Sequence, residues 1–415
     1  MAHLRSRLLK HIITSEMKWS PAVGIYGLRQ VGKTTLVEQL AIQENGIIET
    51  FDRESTLQSS KEAPIDFCSR NKLLCIDEAQ RGPWIFPAIK ELIGTKRKPG
   101  RFLLTGSIRF TLKKEIRESL TGRVLLHELL PFNISEALAL KPSTFLDKAL
   151  ELASSTPNPK KDRHLIEALS HPRGITDSQI NRHLETGGLP IPCFSRDQVK
   201  RNAWFKGYFE TLVTRDIALV DESLSKMSLR QGLSFLRALA LHQGREFAIN
   251  DLPLRPVLAK KMLDTLEALA LIETIPPENI RTKAVRKSRL EWKDVGLWAH
   301  ILGLSGIGLS ESEQALKLHL SQEFRSQIGL SKYPTHWSFY KNRDGAEIPW
   351  IFRRGQAVVA ISFVPVECPE PYDYRVMRRF IENEPHGLGI ILGAKRTKIS
   401  SLGPRLFLLP YHAVY

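Results

Sequence analysis

This 415-residue chain is short of cysteine: four are scattered at Cys68, Cys75, Cys193 and Cys368. None has metal-ligand spacing, and Cys75 lies inside an apolar run, so neither a disulfide frame nor a zinc site is expected. Long hydrophobic runs are also missing. No apolar stretch approaches the length of a bilayer span. Met1-Ala2-His3-Leu4-Arg5 does not open as a secretory signal, so the expectation is a cytoplasmic protein with no membrane partner. There is no internal repeat and no low-complexity tract. Acidic residues are the last shortage. Asp and Glu number 44 against 60 Lys and Arg, which leaves a net charge of +16. Such a surface attracts polyanions, of which nucleic acid is the commonest. An apolar fraction of 42% with 25% charged residues is that of a globular protein, long enough for roughly two to four domains.

What is present begins at Gly27-Leu28-Arg29-Gln30-Val31-Gly32-Lys33-Thr34, which spells G-x-x-x-x-G-K-T. The apolar run Ala22-Val23-Gly24-Ile25-Tyr26 can feed this loop as a strand, and Thr35-Leu36-Val37-Glu38-Gln39-Leu40 can leave it as a helix. Glycines let backbone N–H groups turn inward around phosphates, and the helix N-terminus adds the positive end of its dipole. In this P-loop reading Lys33 reaches the β- and γ-phosphates of ATP, and Thr34 places its hydroxyl on Mg²⁺. Gly27 to Thr35 are the candidate nucleotide-binding residues.

A second strand, Leu73-Leu74-Cys75-Ile76-Asp77-Glu78, ends in two carboxylates. Beside a phosphate loop this is the Walker B pattern: Asp77 holds the metal and Glu78 polarises the attacking water. A third, Arg101-Phe102-Leu103-Leu104-Thr105-Gly106-Ser107, ends in hydroxyls. Alternation of strands and helices over 1–130 predicts a parallel α/β core.

From Pro131 to about Val220 the pattern turns helical. It is interrupted by the loop Ser154–Lys161 and by Gly187-Gly188-Leu189-Pro190, and includes a long helix from Ala203 to about Val220. Residues 223–303 then read as helix, helix, strand and basic hairpin, the order of a winged helix. Lys260 and Lys261 lie on the polar face of the second helix, which opens at Arg255, while Arg286, Lys287 and Arg289 crowd the expected hairpin tip. All six are candidate phosphate contacts. The last stretch, 304–415, alternates strands and helices again, with core strands expected in Asp344–Phe352 and Ala357–Val364.

Together these motifs resemble a large prokaryotic group of AAA-superfamily ATPases. Members have a P-loop core, a helical lid, a winged helix and a C-terminal restriction-endonuclease-like domain of uncharacterised function. The strongest passages are Gly27–Leu36, Ile76–Arg81 and Lys98–Ser107; weaker ones are Ser119–Arg123, Gly187–Pro190, Thr214–Ile217 and Asp344–Glu347. The resemblance implies a core over 1–130, a lid over 131–222, a winged helix over 223–303 and a nuclease-like domain over 304–415. It implies that Thr105 or Ser107 senses the γ-phosphate. It also makes Arg123, ahead of the fifth core strand, the arginine finger offered to a neighbour in a homo-oligomeric ring. The winged helix is similar to that of Holliday-junction branch-migration motors, so duplex or branched DNA is the expected partner. The alternative is an ATP-driven signalling or assembly switch that binds a protein through the C-terminal domain. One departure matters. Where nuclease-like members keep an aspartate and then Glu-x-Lys, this chain has Pro349, Ser362 and Val364, which can neither hold Mg²⁺ nor assist a nucleophile. The C-terminal domain is therefore expected to be catalytically inactive, with Asp344 and Glu347 in a solvated turn.

Overall fold

Five short runs in the first 130 residues form one all-parallel sheet: β1 (Ala22–Tyr26), β2 (Ile47–Thr50), β3 (Leu74–Asp77), β4 (Phe102–Gly106) and β5 (Val124–Glu128). Their order is β2-β3-β4-β1-β5. The three central strands are buried almost throughout and the two edge strands are half-buried, as expected where helices cover both faces of a parallel sheet. The computed structural model describes residues 5–107, 122–169, 174–278, 288–304 and 312–415. One face of the sheet packs Phe51, Ile76, Phe86, Ile89, Phe102 and Leu104 into a continuous apolar core. A lead-in helix, Leu9–Glu16, precedes β1.

Packing divides the chain into two compact units that do not follow chain order. One comprises Met1–Phe132, Leu189–Leu229 and Lys260–Ile272; the other Asn133–Gly188, Arg230–Ala259 and Glu273–Tyr415. The helical stretch expected over 131–222 thus contributes to both units. Its first part belongs with the C-terminal sheet: the Arg405 guanidinium donates to the carbonyls of Leu152, Ala153 and Ser155 and pairs with Asp162. Its second part belongs with the parallel sheet. There, helix Gln198–Thr211 passes through a π-helical turn, Leu212–Asp216, into helix Ile217–Val220.

A two-stranded sheet pairs β6 (Ile272–Ile275) with β7 (Arg289–Trp292), and the second unit carries a six-stranded mixed sheet. Its strands are β8 (His336–Lys341), β9 (Glu347–Arg354), β10 (Ala357–Phe363), β11 (Gly387–Gly393), β12 (Ser400–Gly403) and β13 (Leu406–Pro410), in the order β12-β13-β11-β10-β9-β8. Helices Leu229–Leu241 and Pro256–Ala268 precede β6, and the tip of the expected basic hairpin lies outside the described residues. The expected breaker at Gly187-Gly188 has a packing reason. Gly187 has φ +65°, and a Cβ on it would lie 2.4 Å from Asp294 Oδ1. The bare backbone lets Asp294 accept from Gly188 N at 2.7 Å while it caps helix Val295–Leu302 through Leu297 N at 2.9 Å.

Candidate functional site

The carboxyl ends of β1, β3 and β4 meet at one edge of the parallel sheet, where open α/β sheets bind ligands. The chain leaves β1 at Gly27, whose φ is +150° and whose Cβ, if present, would lie 2.3 Å from the Leu129 carbonyl oxygen. Only glycine fits that approach. Gly32, at φ +101°, turns the loop into helix Lys33–Gln43. Lys33 is buried and donates to the carbonyls of Gly27 at 3.0 Å and Leu28 at 2.9 Å. Burial pulls its ammonium down to about 8, with Arg29 adding to the depression and Glu78 and Asp77 opposing it.

Two hydroxyls hold Asp77. Thr34 donates to Oδ2 at 2.9 Å, and Thr105 donates to Oδ1. This all-oxygen set, one buried carboxylate with hydroxyls beside it, suits a hard divalent cation such as Mg²⁺. Glu78 follows in the left-handed region at φ +53°, a conformation that costs a non-glycine residue energy and clusters at functional sites. The turn directs its carboxylate into a cavity of about 1350 Å³ lined also by Lys33, Thr34, Arg29 and Ser107. Glu78 accepts from Ser107 Oγ at 3.3 Å and from Gln80 Nε2. The two strand-end hydroxyls therefore differ. Ser107 reaches the cavity and Glu78, whereas Thr105 is fully buried and donates to Asp77.

Six residues of this cavity carry no role in the local sequence pattern, although Gln80 and Asp216 fall within Ile76–Arg81 and Thr214–Ile217. Gln80 bonds both Glu78 and Ser107; its signal was only its place two residues after the acidic pair. Asp216 pairs with Arg29 at 2.5 Å across 187 residues of sequence, a separation no local pattern can report. Arg7 donates to Val31 O at 2.9 Å and lies over the Phe132 ring at 4.2 Å. Phe132 meets Phe194 edge-on at 5.4 Å, and Arg5 lies over Phe194. This end of the cavity offers flat aromatic and guanidinium surfaces.

Other expected site residues lie elsewhere. Arg123 is half-buried just ahead of β5 and is not among the described residues lining the cavity. Arg255 and Lys260 are exposed; Lys260 pairs with Asp264 at 2.7 Å, and Lys261 donates to Ser223 at 2.8 Å. Arg286 and Lys287 lie outside the described residues. Arg289 is a correction. It is 3% exposed, with its guanidinium 3.1 Å from Glu291 and 3.8 Å from Glu347. A guanidinium committed to carboxylates in the interior is not offered to a phosphate backbone, so Arg289 is a structural residue. Glu347 is correspondingly tied to Arg289, while Asp344 stays exposed.

In the C-terminal sheet, Trp350 of β9 lies opposite Ile361 of β10. That register makes Pro349 and Ser362 neighbours, and Val364 follows at the end of β10 packed against the core. The unit's buried imidazoles serve one another. His183 Nδ1 and His319 Nε2 are 2.8 Å apart, and His319 Nδ1 is 2.8 Å from the Tyr415 hydroxyl. Burial, and then His183, hold His319 well below the usual imidazole range. The nearby Glu323 carboxylate accepts from Ile134 N at 2.8 Å.

Residues 20–138 match the sequence model of an AAA domain (AAA_14), over the same β1, loop, β3 and β4 that build the cavity. The chain carries an AAA-type P-loop ATPase domain. A domain of unknown function (DUF8612) matches residues 177–307, downstream of the ATPase domain. Two proteins described as uncharacterized, from Mycobacterium bovis and Mycobacterium tuberculosis, are each 27% identical over 335 residues, covering 79% of this chain and 67% of theirs. Among solved structures, the Walker-type ATPase PABY2304 of Pyrococcus abyssi is 17% identical, covers 70% of this chain and 94% of its own, and has a TM-score of 0.39. A signal-transduction ATPase with numerous domains from Pyrococcus horikoshii, which has a tetratricopeptide repeat sensor, is 15% identical over 78% of this chain and 45% of its own, with a TM-score of 0.24. The fold of the ATPase domain rests on its own strand order and loop geometry.

Proposed function

We propose that the chain hydrolyses ATP with Mg²⁺ at the cavity beside β1, β3 and β4. The observation that carries this reading is the convergence of Lys33, the Thr34–Asp77–Thr105 cluster and the Glu78–Ser107–Gln80 cluster on one opening. Thr34 and Asp77 would hold Mg²⁺, which when bound neutralises charge on the β- and γ-phosphate oxygens. The loop amides and Lys33 bind the phosphates. Ser107 and Gln80 orient Glu78, which takes a proton from the attacking water. The water oxygen bonds to the γ-phosphorus, and the bond to the β,γ-bridging oxygen breaks with its electron pair left on ADP. Phe132, Phe194, Arg5 and Arg7 receive the base by stacking. Steady-state release of inorganic phosphate from ATP by the full chain, with and without Mg²⁺, tests this directly. No Mg²⁺-dependent release above a Glu78→Gln control sinks it.

The energy of hydrolysis is coupled in this reading to duplex or branched DNA. The net charge of +16, exposed Arg255 and Lys260, and the helix–helix–hairpin order of a winged helix support that partner. Replacing Arg255 and Lys260 with alanine should weaken duplex binding and flatten its log–log salt dependence by roughly two phosphate contacts. Unchanged slope and affinity would move the contact elsewhere. Arg123, outside its own cavity, acts in this proposal on a neighbouring subunit in a ring. Mixing Arg123→Ala with Glu78→Gln chains should then restore part of the activity that each lacks. No recovery while subunits demonstrably exchange would remove the finger.

A further inference from the structure

Within the unit that holds the parallel sheet, the Arg29–Asp216 pair joins the ATPase domain to the downstream segment Leu189–Leu229 and has no part in the hydrolysis described above. A carboxylate facing a polyphosphate site repels its ligand. Asp216 nonetheless lines the same cavity as Lys33 and Glu78, with only 9% of its side chain exposed. Its partner Arg29 is the third residue of the phosphate loop. Both charges reach the Lys33 ammonium, Arg29 pushing its proton off and Asp216 holding it on. The pair therefore stands where the phosphates are read. Asp216 is carried there by the π-helical turn Leu212–Asp216, which interrupts the helix between Gln198 and Val220. Such turns are uncommon and gather at functional positions.

We infer that Arg29 is a catalytic arginine acting within its own chain, kept ready by Asp216 and transferred to the γ-phosphate when a nucleoside triphosphate binds. This rests on the ATP-hydrolysis reading above. Removing one member of a buried ion pair is ordinarily costly, because the other charge is left unpaired. Here a replacement is at hand. Arg215 Nε is 3.8 Å from the same Asp216 oxygen, and 56% of the Arg215 side chain is exposed, so it is free to close as Arg29 leaves. The γ-phosphoryl group takes Arg29, Asp216 turns to Arg215, and no charge is stranded. A diphosphate does not compete for Arg29, so the pair stays closed with ADP. Triphosphate and diphosphate thus leave the π turn in two charge arrangements, which links the phosphate loop to helix Gln198–Val220. Arg29 is the catalytic residue in this scheme, and Asp216 and Arg215 are positioning residues.

The test compares ATP and ADP on the full-length chain. Dissociation constants for both are measured in a Glu78→Gln background, and kcat in the otherwise unaltered chain. Arg29→Ala should lower kcat about 10²-fold, as loss of a preorganised charge-stabilising donor does. It should weaken ATP about tenfold while leaving ADP within about twofold, so the preference for ATP collapses. Arg29→Lys should recover part of both effects. Asp216→Asn should tighten ATP relative to ADP, since Arg29 no longer has an anion to leave. A merely structural clasp would move ATP and ADP equally, or move only the unfolding midpoint, and either result overturns the assignment. If Arg29→Ala does not fold, Asp216→Asn decides alone, and an unchanged ATP-to-ADP ratio rejects the exchange. Failure of the Glu78→Gln chain with Arg29 intact to bind ATP at all would instead sink the underlying function.

Discussion

The two sheets of this protein end in opposite chemistry. At the carboxyl edge of the five-stranded sheet, β3 and β4 deliver Asp77, Glu78, Thr105 and Ser107, and each polar group there has a partner that aims it. In the six-stranded sheet, β9 and β10 carry Pro349 and Ser362, each next to the paired Trp350 and Ile361, and Val364 follows β10. The second arrangement is as well built as the first, with Ile348, Ile351, Val358, Ala360 and Ile391 all buried beneath it. A sheet can therefore keep its packing and topology while its edge keeps or loses ligand-binding groups, because core burial and edge chemistry are carried by different residues.

The contrast breaks or sharpens first on the nucleotide. Lys33→Ala should abolish tight ATP binding, and Glu78→Gln should keep binding while slowing hydrolysis by about 10²-fold or more. Equilibrium binding and phosphate release separate the two. The same purified protein should show no Mg²⁺- or Mn²⁺-dependent DNA cleavage. Reproducible nicking lost on Asp344→Ala would place chemistry on the second sheet after all. The next effect is structural. Arg289→Ala should cost about 3 kcal/mol, since it takes the guanidinium from buried Glu291 and leaves it the Gln243 amide as donor, and urea unfolding would read it. A variant that unfolds like the parent but loses DNA affinity would return Arg289 to the DNA contacts.

The two hydroxyls of β4 should separate by readout. Thr105→Val frees one oxygen of Asp77 and should raise the Mg²⁺ concentration needed for half-maximal activity roughly tenfold, whereas Ser107→Ala should lower kcat with that requirement unchanged. Titrating Mg²⁺ against both variants checks the division, and identical behaviour refutes it. The smallest effect is in pH. Because the Lys33 ammonium of the free protein loses its proton near pH 8, ATP binding must restore that proton above this value. The dissociation constant should be flat below about pH 7 and rise about tenfold per unit above pH 8. Calorimetric titration across that range measures it, and a flat profile to pH 9.5 would show that Lys33 stays charged.

Much of the ATPase domain was legible because its signals are local. The loop, its flanking strand and helix, and the acidic pair after Ile76 are each contiguous, and their chemistry follows from residue type and spacing. Legibility fell where partners are distant in sequence. Nothing near Arg289 announces that Glu347 lies beside it, so Arg286, Lys287 and Arg289 read as one exposed patch. The helical stretch 131–222 read as one lid because helical periodicity reports which face is apolar and not which sheet that face meets. The choice between Thr105 and Ser107 stayed open for a similar reason. Alternation along β4 gives them the same side of the strand, and only the positions of Asp77 and Glu78 distinguish them.

Local sequence carries the phosphate-loop pattern, the Asp77–Glu78 acidic pair, the apolar parallel strands, and Pro349 and Ser362 in the C-terminal sheet. These depend on residue type and on interactions spanning a few residues. Tertiary structure decided which charges are available. It turned Arg289 inward to Glu291 and Glu347, placed Asp216 on Arg29 across 187 residues, and set Thr105 against Asp77 and Ser107 against Glu78. The physical reason is that a charge or hydroxyl is defined by its neighbours and its exposure to water. In a chain wound into two interleaved units, those neighbours come from segments that no local pattern connects.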